Sequence, residues 1–178
     1  MPKLDSLARR ATTRRSSVTA DWHYVQPGIE GVVIKEVRPV LGGGGALMEV
    51  WRADWQLDGA ALTQVFAKLM APAAISGWHV HQSTTDRLFV VGGQARVVLY
   101  DGRIDSRSHG QVAEFVYGAQ RPALIVIPPG VWHALRNESG SEMATVLNLV
   151  DQAYHYEAPD HLALPIDDPA IPYRFSAR

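Results

Sequence analysis

The sequence predicts an all-β chain folded as a barrel or sandwich, and three observations carry that prediction. Short runs rich in β-branched residues recur with turn residues between them, and no segment before the tail sustains a helical period for three turns. Two histidine-bearing stretches also have the alternation and turn chemistry of strands that face one another. Evenly spaced short strands broken by Gly and Pro are the pattern of a sandwich or barrel.

In chain order, strands are expected at 31–37, 46–52, 63–70, 75–81 and 87–91, then at 95–100, 112–116, 123–127, 131–135 and 143–150. Between the later ones stand Gly92-Gly93, Asp101-Gly102, Gly110, Gly118, Pro128-Pro129-Gly130 and Ser139-Gly140. Glycine admits positive φ, and proline fixes φ while removing a donor, so these are turn positions. The four glycines at 42–45 lack the Lys-Ser/Thr and following helix of a phosphate loop and are read as a flexible hairpin. The expected organisation is a basic, disordered arm over 1–28 with a short helix possible at 6–11, a barrel over 29–150, and a tail over 151–178. That tail is rich in Pro and aromatic residues and is expected to pack across a barrel mouth or against a partner subunit.

A chain of 178 residues with 47% hydrophobic content can bury one full core. It has no cysteine, so disulfides and thiolate ligands are excluded and any metal must bind through nitrogen and oxygen. No apolar stretch reaches the length of a membrane span, and Arg14-Arg15-Ser16-Ser17 is not followed by the apolar segment of a secretion signal. The expectation is a soluble, unexported, cytoplasmic protein. Net charge is −1, yet Lys3, Arg9, Arg10, Arg14 and Arg15 crowd the start against Asp5, leaving the body acidic. An acidic body argues against a nucleic-acid partner, because backbone binding depends on clustered positive charge.

The chemistry-bearing residues are His79-Val80-His81, Asp86 five residues on, and the stretch Pro128-Pro129-Gly130-Val131-Trp132-His133-Ala134-Leu135-Arg136-Asn137. On a strand His79 and His81 share a face, and His133 after its Pro-x-Gly turn can arrive from a facing strand. The arrangement resembles the two-part signature of the cupins, which implies their double-sheet jelly-roll barrel, in agreement with the strand pattern. The second half matches Pro-x-Gly-x-x-His-x-x-x-Asn throughout, while the first half has Asp86 where metal cupins carry Glu. His79, His81, Asp86 and His133 are therefore the expected ligands of a divalent metal ion, whose identity such a donor set does not select. Hydrogen-bonded histidines lining a polar pocket are the competing reading, and Asp86 could instead pair with Arg87. Trp78 and Trp132 have the opposite parity and are expected to pack outside the pocket. His23, His109, His155 and His161 are expected at the surface, and Tyr100, Tyr117, Tyr154 and Tyr156 mainly as space-filling aromatics.

A second, more specific resemblance rests on Glu49-Val50-Trp51-Arg52, Gln64-Val65-Phe66, Gly77-Trp78-His79, Asp101-Gly102-Arg103 with Ser106, residues 127–133, and Asp167-Asp168-Pro169. In this order they resemble the dTDP-4-dehydrorhamnose 3,5-epimerase family over about residues 29–173. The resemblance implies a homodimeric jelly roll that binds a nucleotide sugar and epimerises carbons beside its keto group. It implies His79 as catalytic base oriented by Asp168, with Arg52, Gln64 and Tyr100 as substrate contacts; a turn-fixing role for Asp168 is equally open. The family's lysine falls on Asp86, its arginine on Ser76 and its acid tyrosine on Asn148, so two cations and an acid are missing while a metal-type donor set has appeared.

Three functions follow as expectations. The first is a metal-dependent cupin that isomerises or oxygenates a small hydroxylated or keto, sugar-like compound. The second is a metal-free dTDP-4-dehydro-sugar 3,5-epimerase with His79 as base, which needs a cation and an acid not yet identified. The third is a non-catalytic carbohydrate-binding barrel.

Overall fold

Along Val112–Gly118, Ala113, Phe115 and Tyr117 are buried while Val112, Glu114 and Val116 are partly exposed, the period-two burial of a strand with one face on a core. This computed structural model describes residues 28–175 together with residues 16, 18–21 and 25. Most of the arm expected over 1–28, including its helix at 6–11 and His23, lies outside the described residues.

The strands are β1 (Val33–Glu36), β2 (Val40–Gly42), β3 (Gly45–Leu47), β4 (Gln64–Met70), β5 (Ile75–His81) and β6 (Asp86–Gly92). They continue as β7 (Gln94–Asp101), β8 (Val112–Gly118), β9 (Ala123–Ile127), β10 (Val131–Asn137), β11 (Ala144–Val150) and β12 (His161–Leu164). One five-stranded sheet has the order β1-β9-β6-β11-β4, the other β12-β5-β10-β7-β8, and β2-β3 is the hairpin expected at the glycine run. Every pair among them is antiparallel. The main core lies between the two sheets, where Leu88 and Val90 of β6, Val97 and Leu99 of β7, Phe115 and Tyr117 of β8, and Ile125 of β9 pack together. No described helix is long and apolar enough to cross a membrane.

Two segments depart from the sequence expectation. The strand expected at 46–52 ends at Leu47, and a 3-10 turn at Ala53–Trp55 follows. Here Trp51, Trp55, Leu57 and Leu62 cover Phe89, Leu124 and Leu149 on the outer face of the first sheet, so packing against that face displaces strand geometry. In the tail, β12 adds an edge strand to β5, while Ile166, Ile171, Tyr173 and Phe175 cover Trp78 on the outer face of the second sheet. Trp78 is fully buried and Trp132 packs beside it, both outside the barrel interior as their parity predicts.

Candidate functional site

Residues of alternating parity from the two sheets leave the barrel open at one end, where they line a cavity of about 390 Å³. From the first sheet come Gln64, Phe66 and Lys68 of β4, Asp86 and Leu88 of β6, and Val146, Asn148 and Val150 of β11. From the second come Ser76, His79 and His81 of β5, His133 and Leu135 of β10, and His161 of β12. His79 pairs with His133 across the β5–β10 ladder and His81 with His161 across β5–β12. The four imidazoles form a quadrilateral with ring centroids 6.0 to 6.2 Å apart along its sides.

Asp86 enters from the opposite sheet. Its Oδ2 lies 3.4 Å from Nε2 of His81 and 3.4 Å from Nε2 of His133. Asn148 Nδ2 donates to Asp86 Oδ1 at 2.6 Å, and Asn148 Oδ1 accepts from the Arg87 backbone N–H. Asn148 thus holds the carboxylate in place. Arg87 points to the other face of β6, where it pairs with Asp58 rather than with Asp86. The second ring nitrogens face outward: His133 Nδ1 is 3.4 Å from the Val131 carbonyl, and His81 Nδ1 is 3.4 Å from Asp160 Oδ2. Asp160 is itself fixed by the backbone N–H groups of Gln82, Ser83 and Thr84.

Of the expected ligands, His81, Asp86 and His133 bring donor atoms within 4.8 Å of one another. His79 lines the same cavity but stands outside that group. Burial is the main cause that lowers the pKa of His79, with His133 and Lys68 adding to it and a hydrogen bond to the Gly77 backbone opposing it. Burial also lowers the pKa of His133, against the pull of Asp86. Both rings therefore favour the neutral, proton-accepting form.

Other expected site residues lie elsewhere. Gln64 lines the cavity, where its Oε1 accepts from the Tyr154 backbone N–H. Arg52 is on the surface, paired with Glu49 and Asp54. Tyr100 packs with the Trp78 cluster on the outer face of the second sheet. Asp168 fixes a turn by accepting from the Ala170 N–H, and the cavity lining does not include it. The Gly77 backbone, not Asp168, is the hydrogen-bond partner of His79. Asn137, the last residue of the Pro-x-Gly-x-x-His-x-x-x-Asn match, is buried and donates to the carbonyls of Met70, Ala71 and Glu142, which is a structural role.

His155 is exposed as expected and borders the cavity, whereas His161, also expected at the surface, is half-buried in it because β12 pairs it with His81. Sequence reasoning also missed Lys68 and Asp160; Tyr154 and Tyr156, read mainly as space-filling, line the cavity with their rings edge-on at 5.2 Å. Lys68 was legible in principle, since it follows Gln64 at i+4 on one strand and so shares its face.

The model of the polysaccharide biosynthesis C-terminal domain matches residues 44–162. The chain is 30% identical over 142 residues to the probable low-salt glycan biosynthesis epimerase of Haloferax volcanii, covering 79% of this chain and 90% of that relative. The dTDP sugar isomerase of Desulfovibrio desulfuricans G20 superposes with a TM-score of 0.77 at 27% identity, over 85% of this chain and 94% of that one. The dTDP-4-dehydrorhamnose 3,5-epimerase of Bacillus anthracis str. Ames shares the fold, with a TM-score of 0.72 at 19% identity over 83% of this chain and 86% of that one. The chain belongs to the polysaccharide biosynthesis C-terminal domain family and has the jelly-roll fold of the dTDP-4-dehydrorhamnose 3,5-epimerase-like cupins.

Proposed function

We propose that this protein epimerises the sugar of a nucleotide-linked keto hexose, with His79 as the base. The observation that carries this reading is an imidazole, His79, on the wall of an open cavity and paired across the β5–β10 ladder with His133, in a chain whose relatives are named an epimerase and a dTDP sugar isomerase. Removing a proton beside a carbonyl needs a base of suitable pKa and a stabiliser for the oxygen that becomes negative. Returning a proton to the opposite face inverts the centre. Tyr154 and Tyr156 offer aromatic faces at the mouth, which suits a nucleobase, and Gln64 offers an amide there. The test is to incubate the protein in D2O with a dTDP-4-keto-6-deoxyhexose and follow deuterium at the carbons flanking the keto group by NMR. Incorporation supports the reading; its absence at both carbons defeats it.

A second element of the proposal is a divalent metal ion held by His81, Asp86 and His133. Ligands about 2.0–2.1 Å from one tetrahedral ion stand roughly 3.4 Å apart, and both Nε2-to-Oδ2 separations are 3.4 Å. The hydrogen bonds of Asn148 to Asp86 and of His133 Nδ1 with the Val131 carbonyl are of the kind that orient metal ligands. The residues fit such an ion, which would act as a Lewis acid toward a sugar oxygen. Elemental analysis of purified protein and calorimetric titration of the stripped protein with Zn²⁺, Mn²⁺ and Fe²⁺ test it: neither retained nor acquired metal would remove the ion from the proposal.

The described barrel also leaves β4 at a sheet edge with Val65 and Leu69 exposed, and the β2–β3 hairpin exposes Val40, Leu41 and Leu47. We assign these apolar surfaces to a second copy of the chain, because an unpaired apolar edge invites pairing. Sedimentation analysis that returns a monomer at micromolar concentration would refute the dimer.

A further inference from the structure

Lys68 is the only lysine or arginine among the described residues that line the cavity. Its ammonium donates to the Ser76 hydroxyl, a neutral partner, and among the described residues no carboxylate pairs with it. Although the residue as a whole is exposed, desolvation of the ammonium lowers its pKa. Lys68 thus presents a positive charge to the cavity without a counter-charge, which suits an anionic ligand atom.

Its place along β4 says which ligand atom. Gln64, at one end of the strand, pairs with Val150 and touches the segment that carries Tyr154, whereas Lys68 pairs with Val146. Four strand residues span about 13 Å, so Lys68 stands well away from the tyrosine end. Its ammonium reaches Ser76 on β5, the strand that carries His79, which puts it toward the imidazoles. A nucleobase at the tyrosines would thus leave the sugar between Lys68 and His79.

We infer that Lys68 is a catalytic residue, the cation that holds the sugar's keto oxygen and stabilises the enolate formed when His79 takes the neighbouring proton. This assignment rests on the epimerase reading. In the step, the C–H bond breaks and its proton passes to a ring nitrogen of His79. The C–H electron pair forms the C=C bond while the carbonyl π pair moves onto oxygen. Lys68 donates a hydrogen bond to that oxygen and keeps its proton. A solvent proton reaches the opposite face of the carbon and restores the carbonyl while His79 releases its proton to solvent, so no oxidant or reductant is consumed.

The test compares wild type, Lys68→Met, Lys68→Arg and Ser76→Ala, using deuterium exchange into a dTDP-4-keto-6-deoxyhexose together with thermal unfolding. Lys68→Met is expected to lower kcat by about 10²- to 10³-fold, the size of losing one oxyanion donor, with KM changed less than about threefold. Lys68→Arg is expected to retain part of the rate. Ser76→Ala, which keeps the charge but frees its position, is expected to lose about tenfold in kcat with an unchanged melting point. Exchange by Lys68→Met within about threefold of wild type, or a loss confined to KM as for a phosphate anchor, overturns the assignment alone. A wild type that does not exchange overturns the epimerase reading and this assignment with it. Should Lys68→Met not fold, full kcat in both Lys68→Arg and Ser76→Ala overturns the assignment.

Discussion

His81 and Asp86 face each other from opposite sheets, with Nε2 and Oδ2 3.4 Å apart. The contact, shared by His133 at the same distance, ties the two layers together at the open end of the barrel. Asp86→Ala removes the acceptor of Asn148 and should cost about 1–3 kcal/mol of stability, read by urea unfolding. If an ion occupies the triad, Zn²⁺ at 100 times its Kd should add about 2.7 kcal/mol to wild type and nothing comparable to Asp86→Ala. Equal metal responses in the two proteins would separate the ion from Asp86.

His79 should be the variant that abolishes chemistry without abolishing binding. His79→Asn keeps a polar side chain on the cavity wall, and exchange should fall by about 10²- to 10⁴-fold, the range for a positioned base. Calorimetry with dTDP, which lacks the reacting carbon, should give a Kd close to wild type. Retained exchange would move the base to another imidazole of the cluster.

Much of the barrel was legible because its strands alternate or punctuate clearly: β5 and β9 fall at the expected residues, and Pro128-Pro129-Gly130 turns the chain so that His133 meets His79. The short edge strand β12 was not, since four residues between Pro159 and Pro165 give too little alternation to reveal a strand. With β12 went His161, whose place in the cavity depends on pairing with His81. Arg52 and Tyr100 were assigned through motif order, which preserves sequence position but not the direction of a side chain; both turn away from the cavity. Asp168 likewise belongs to the turn that its Asp-Pro sequence suggests.

Asp101 anchors the base of the β7–β8 connection. Burial by itself would raise its pKa, but hydrogen bonds from Arg103, Ser106 and Ser108 outweigh burial and hold the carboxyl well below the usual carboxylate range. A depressed folded-state pKa contributes stability that is present above the unfolded value of about 3.9 and is lost as pH falls through the folded value. Asp101→Asn should therefore cost about 3 kcal/mol at pH 7, and the gap to wild type should narrow below about pH 4. A gap independent of pH between 7 and 3 would show that the carboxylate's charge is not what stabilises this turn.

Gly93 joins β6 to β7 with φ +68°, and a Cβ there would lie 2.7 Å from the Met143 carbonyl and 3.0 Å from the Ala144 Cα. Both obstacles are backbone. Gly93→Ala should lower stability by about 2 kcal/mol or more, whereas Gly110→Ala, at a similar φ of +78° but with nothing within 4 Å, should cost only about 1 kcal/mol. Equal melting points for the two variants would contradict the close approach at Gly93.

The most direct measurement is proton exchange at carbon. Wild-type protein in D2O with a dTDP-4-keto-6-deoxyhexose should place deuterium beside the keto group, and His79→Asn should not. A wild-type protein that binds the nucleotide sugar yet leaves both flanking carbons fully protonated would contradict the account.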